Sequence, residues 1–262
     1  MNAAWIRPLR LTPMPRLRLA CFPHAGGSAS FFRSWSERLP ADVDLLALQY
    51  PGREDRFNEA PATRLEDLAD GAALALREFA DAAALALREF ADAPLALFGH
   101  SLGAALAYET ALRLESAGAP LRHLFVSAHP APHRQRGGVL HRGEDTALLA
   151  DVRRQGGASE LLEDADLRAL FLPLLRADYQ AIETYRRAQP IALACPLDVL
   201  LGDGDEEVSP AEAQAWSDAS RHPARLRRFP GGHFYLSEGR DAVIDHLLRR
   251  LEHPDTRSRE VA

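Results

Sequence analysis

No lysine occurs in the 262 residues, so all 31 basic side chains are arginines. That absence removes Schiff-base chemistry, a P-loop lysine and a lysine general base from consideration. Cysteine is nearly as scarce. Cys21 and Cys195 are too few for a disulfide framework and lack the spacing of a metal knuckle, so both read as small buried apolar side chains in a reducing compartment. No run approaches the roughly 20 apolar residues of a membrane-spanning helix. The first residues are broken by Arg7, Arg10, Arg16, Arg18 and several prolines, unlike a secretory signal, and the protein is expected in the cytoplasm. An excess of positive charge is missing too: the formal net charge is −6, the wrong sign for a surface that grips nucleic acid as a whole.

What is present is an ordinary globular composition, 47% hydrophobic and 26% charged, on a chain long enough for one large α/β domain. Short apolar runs alternate with amphipathic ones. Candidate strands fall at 17–22, 43–50, 95–98, 123–127, 197–201 and 226–229, and candidate helices at 31–39, 65–90, 102–116, 211–219 and 240–252. This alternation predicts a mostly parallel sheet covered by helices on both faces. Between 129 and 190 it stops, giving way to a loop and helices at about 146–155 and 166–187, and an insertion of this kind caps one end of the sheet as a lid. Residues 71–81 (GAALALREFAD) and 82–92 (AAALALREFAD) form a tandem repeat that differs at one position. Eleven residues make three helical turns with about 20° of drift, so both copies keep the same face toward the sheet. The repeat reads as a recent slippage duplication in preference to a partner site.

Gly99-His100-Ser101-Leu102-Gly103 follows an apolar strand and precedes a helix-forming run. This is the G-x-S-x-G pattern in the strand, turn, helix setting that gives it meaning, and it marks Ser101 as a nucleophile. A serine needs a base, commonly an imidazole oriented by a carboxylate. Two later apolar strands end in Gly202-Asp203-Gly204-Asp205 and Pro230-Gly231-Gly232-His233, and the order Ser, Asp, His is that of an α/β-hydrolase. Phe22-Pro23-His24-Ala25-Gly26-Gly27-Ser28 follows the first strand and supplies a glycine-rich loop. Acyl transfer needs two donors on the developing oxyanion, and the amides of Ala25 and Leu102 are assigned to it. His24 reads as a loop-stabilising residue, and His129, His133 and His141 lack partners at metal-ligand spacing.

Taken together, Phe22 to Gly27, Gln49-Tyr50-Pro51-Gly52-Arg53, Phe98 to Ala104, Gly202 to Asp205 and Gly231-Gly232-His233-Phe234 resemble the type II thioesterases of polyketide and nonribosomal peptide assembly lines. The resemblance runs from about residue 17 to residue 250. It implies an α/β-hydrolase domain over 1–262 with a lid at about 129–190, and Asp205 in preference to Asp203 as the partner of His233. It also implies hydrolysis of acyl groups from the phosphopantetheine arm of an acyl or peptidyl carrier protein. A monomer is expected, with no cofactor, metal, nucleic acid or membrane. Glu206 departs from the proline that often follows the acid in this family, and the repeated segment is usually single. The segment leading into the lid carries Arg134, Arg136, Arg142, Arg153 and Arg154 against Glu144, Asp145 and Asp151, a basic rim that an acidic carrier protein would meet. A stand-alone carboxylesterase or lipase, or a catalytically dead interaction module, remain the alternatives.

Overall fold

Along the second strand, Leu19 and Cys21 turn to one side and Ala20 and Phe22 to the other, and each pair joins a separate apolar cluster. A strand buried on both faces needs helices on both sides. The computed structural model describes residues 3–87, 93–157 and 164–252. Its strands are β1 (Ile6–Arg10), β2 (Leu17–Phe22), β3 (Val43–Leu48), β4 (Leu95–His100), β5 (Leu121–Ser127), β6 (Leu197–Gly202) and β7 (Arg225–Phe229). They form one sheet in the order β1-β3-β2-β4-β5-β6-β7, in which only β1 runs antiparallel to its neighbour. Helices α1 (Leu65–Leu87) and α2 (Leu102–Ser116) cover one face. A 3-10 helix (Ala29–Glu37) and, near the C-terminal end, α7 (Arg240–Glu252) cover the other.

β1 and the helix after β2 depart from expectation. β1 reads IRPLR, and its proline and arginines hide a strand that is tolerated because it lies at the sheet edge. The helix expected at 31–39 is a 3-10 helix: its buried Phe32 and Trp35 stand three apart, a spacing that three residues per turn keeps on one face. At the opposite edge, β7 turns Arg225 and Arg228 to solvent, which discourages pairing with another sheet.

The segment between β5 and β6 contains two helices, α3 (Asp145–Arg154) and α4 (Ala165–Thr184), close to the expected pair. After β6 come α5 (Pro210–Gln214), where Ser209 and Glu212 complete a capping box, and a 3-10 helix (Ala215–Ala219) in place of the single helix expected at 211–219. A short helix α6 (Tyr235–Glu238) precedes α7.

In the first copy of the repeat Ala72, Ala73, Ala75 and Leu76 are buried, and Gly71 lies under the Trp5 indole, where a Cβ would come within 2.2 Å of Cζ2. Asp81 and Ala82 are exposed, and the expected end of the helix at residue 90 lies outside the described residues. Deleting 82–92 removes eleven residues, a length of chain equal to about three helical turns, or about 16 Å at 1.5 Å per residue, and leaves the buried residues of the first copy in place. The expected result is a cooperative melt within a few degrees of wild type and undiminished hydrolysis; loss of cooperative unfolding would make both copies structural.

Candidate active site

At the end of β4 the chain reverses into α2 through Ser101, whose φ of 56° and ψ of −123° lie outside the helical region. Such a turn needs glycines on either side. A Cβ on Gly99 would stand 2.1 Å from the Gly103 carbonyl oxygen, and one on Gly103 would stand 2.1 Å from that of Phe22. The Ser101 amide donates to the Ser127 carbonyl at 2.8 Å, which pins the turn to the end of β5. Behind it, Ser127 Oγ bridges His100 Nδ1 at 2.8 Å and the Tyr235 hydroxyl at 2.7 Å. The positive end of the α2 dipole is directed at the serine.

The loop after β6 is held by Asp203 N–H to Phe229 and Gly204 N–H to Gly231, which brings Asp205 under His233. His233 Nδ1 donates to Asp205 Oδ1 and Oδ2 at 3.2 and 3.1 Å, and Ser101 Oγ donates to His233 Nε2 at 3.1 Å. The two partners are enclosed, with side chains 0% exposed for Asp205 and 5% for His233. Asp203 points elsewhere: its carboxylate is 51% exposed and pairs with Arg228 at 2.8 Å. A carboxylate on Nδ1 fixes the tautomer that leaves the Nε2 lone pair facing the serine hydroxyl.

Ala25, Ser101, Leu102 and His233 line one cavity of about 260 Å³ between the sheet and the lid, so four of the five expected site residues border the same space and the fifth stands behind His233. Gln135, Tyr179, Asp151 and Gln155 from the lid add polar groups to its wall, with Tyr179 and Gln155 both donating to Asp151. Gln135, Tyr179 and Gln155, and the Ser127–Tyr235 bridge, were not singled out by the sequence, and Asp151 figured there only in the charge count of the lid entry. Ser127 ends a strand beside the elbow and Tyr235 follows His233 by two, and those positions are the only local signal. His141 is tied to Glu183 of α4, His133 faces Asp218, and His129 donates to the Pro130 carbonyl. The arginine rim is thinner than its sequence implies, because Arg136 pairs with Glu212, Arg154 with Asp151 and Glu207, and Arg142 donates to His141. Arg134 and Arg153 are exposed.

Around His233 stand three imidazoles that burial keeps neutral. His24, between the rings of Phe31 and Phe234, is lowered to about 4, and so is His129; His100 is lowered well below its ordinary value. Burial is the main cause in each, and His233 adds repulsion. Neutral neighbours leave room for a positive charge on His233 itself. The same groups couple stability to pH. Their folded values lie below the unfolded 6.5, so between 6.5 and 4 the unfolded chain binds more protons and stability falls as pH falls. By pH 5 the loss is roughly 2 kcal/mol for each of His24 and His129. A thermal melt at pH 5 is expected well below that at pH 7.5; equal midpoints would mean that these imidazoles accept protons freely in the fold. Burial also raises the thiols of Cys21 and Cys195, which makes neither a rival nucleophile.

The sequence pattern of the thioesterase domain matches residues 17–251. The chain belongs to the thioesterase family. This thioesterase is 40% identical over 262 residues to Thioesterase PikA5 of Streptomyces venezuelae, covering 98% of this chain and 90% of that protein. It is 30% identical over 254 residues to the Gramicidin S biosynthesis protein GrsT of Aneurinibacillus migulanus, covering 94% and 93%. Among solved structures it is similar to the type II thioesterase BorB from the borrelidin biosynthetic cluster, with a TM-score of 0.84 and 43% identity over 96% of this chain and 99% of that one. The fold class expected from the sequence, an α/β-hydrolase with a mostly parallel sheet, is the one observed.

Proposed function

We propose that this thioesterase acts as a type II enzyme of polyketide or nonribosomal peptide assembly, hydrolysing acyl groups from the phosphopantetheine arm of carrier proteins through an acyl-Ser101 intermediate. The observation that carries this reading is the unbroken line from Asp205 through His233 to Ser101, opening on a cavity bordered by the Ala25 and Leu102 residues. Ser101 Oγ attacks the thioester carbonyl as His233 Nε2 takes its proton, and the oxyanion that forms accepts from the Ala25 and Leu102 amides. Collapse breaks the C–S bond and expels pantetheine sulfur, which takes the proton from His233. Water then attacks the ester carbonyl, gives a proton to His233, and the acid leaves as that proton returns to Ser101. Thiolate is a good leaving group and needs less acid assistance than an amine. The reading includes a monomer with one hydrolase domain, its lid at about 129–190, working in the cytoplasm without cofactor or metal.

The test compares one acyl group presented on a carrier protein, on a small cysteamine thioester and on a simple oxoester. A clear preference in kcat/KM for the carrier-borne substrate is expected, and equal rates on the oxoester would favour a carboxylesterase. Arg153→Glu is expected to lower kcat/KM on the carrier alone, more at low salt than at high, because exposed charges are screened within roughly 10 Å at 0.1 M. An equal loss on the small thioester would assign Arg153 to the lid's own structure.

A further inference from the structure

One face of α4 rests on the loop that carries Ala25. Phe171, Leu175 and Asp178, at i, i+4 and i+7, all meet Gly26: a Cβ there would stand 2.8 Å from Phe171 Cζ and 3.1 Å from Leu175 Cδ1, and the Gly26 amide donates to Asp178 Oδ2 at 2.7 Å. The other carboxylate oxygen, Oδ1, accepts from Arg53 Nη2 at 2.7 Å, and Arg53 Nη1 donates to the Gly27 carbonyl at 3.2 Å. The guanidinium lies 4.8 Å over the Tyr50 ring, whose hydroxyl donates to the Pro23 carbonyl at 3.0 Å. Both charged side chains are enclosed, 4% and 1% exposed.

The remaining groups of the loop are held from within. His24 Nδ1 donates to the Ala25 carbonyl at 2.9 Å, and the Gly27 amide donates to the His24 carbonyl at 2.9 Å. The peptide plane that contains the Ala25 N–H is therefore fixed through its own carbonyl. The next plane is fixed at both ends, by His24 on its carbonyl and by Asp178 on its N–H. A buried ion pair stabilises a fold little better than apolar residues of equal volume. What this one adds is geometry, since a single carboxylate on the lid sets the direction of the Gly26 amide and holds the arginine that grips the Gly27 carbonyl.

We propose that Asp178, acting through the Gly26 amide and Arg53, is a positioning residue that makes the oxyanion-binding loop depend on the seating of lid helix α4. This rests on the Ser101 reading above. When α4 lifts, the loop loses the acceptor on Gly26 and the clamp on Gly27, while Ser101 and His233 keep their contact. Competence for turnover then follows the lid.

The test uses the full chain and an acyl N-acetylcysteamine thioester. Arg53→Met combined with Asp178→Leu replaces the pair by apolar groups and should melt within about 5 °C of wild type, since such exchanges are often neutral. Its kcat should fall about 100-fold with KM little changed, because the lost interaction acts in the transition state alone. Arg53→Lys retains the charge beside Asp178 but lacks the fork that reaches both Asp178 and Gly27, and should lose about tenfold in kcat at unchanged melting temperature; it decides the matter if the double variant does not fold. Wild-type kcat in either folded variant overturns the proposal in favour of a purely structural pair. Fluorophosphonate treatment of the wild type runs in parallel. Failure to modify Ser101 would overturn the underlying reading and the proposal together, whereas a Ser101 adduct with undiminished turnover in the variants overturns the proposal alone.

Discussion

Ser101→Ala is expected to lower kcat by between about 10⁴- and 10⁶-fold, the range that removal of a serine nucleophile produces elsewhere. Stability should hardly change. The residue sits at a φ of 56°, and alanine meets the same backbone strain there as serine does. The hydroxyl's one side-chain contact is with His233 Nε2 at 3.1 Å, so its loss leaves no buried donor stranded in the core. A melt and a quenched turnover check this together: the wild type should show an acyl adduct on the Ser101 peptide by mass spectrometry, and the variant none. An adduct on Cys21 or Cys195 would overturn the assignment, and the burial that raises both thiols opposes it.

Asp205→Asn should cost about 10⁴-fold in kcat, because an amide beside Nδ1 stabilises the wrong tautomer and gives a developing imidazolium no counter-charge. Asp203→Asn should stay within a few-fold of wild type, since that carboxylate faces solvent and Arg228. The residues alone left the two acids open, two positions apart on one loop. What separates them is the loop's closure on β7, through Asp203 N–H to Phe229 and Gly204 N–H to Gly231, which turns the second acid inward. The reverse ranking would move the orienting role to Asp203.

Much of the fold was legible because its central strands are buried on both faces and read as mostly apolar runs, as β2 and β3 do apart from Arg18 and Asp44, which pair with each other. β1 was not, because an edge strand tolerates a proline and two arginines that break up the apolar run. The elbow was legible because its requirements are local: two glycines flank Ser101, and a strand and a helix bracket it. His233 and Asp205 were narrowed by chain order and by their place after strands. Arg53 and Asp178 show where such reading ends. They are 125 residues apart, and nothing near either one in the chain marks its partner. The same holds for Ser127 and Tyr235, which meet only because β5 and the turn after β7 converge behind the elbow.

The contact between Gly71 and Trp5 has a consequence for how the duplicated helix chooses its place. Shifted by eleven residues, the second copy would present the same alanines, leucines and phenylalanine to the sheet, and over the repeated positions the two placements would be nearly degenerate in apolar content. Within the repeat they differ at one position, where Ala82 would stand for Gly71. The methyl group that alanine adds would collide with the indole at about the 2.2 Å found for a Cβ on Gly71. Over the eleven repeated positions, the discrimination between the two alignments thus falls to the absence of one methyl group. A perfect duplicate, with glycine in both copies, would lack this discriminator within the repeat.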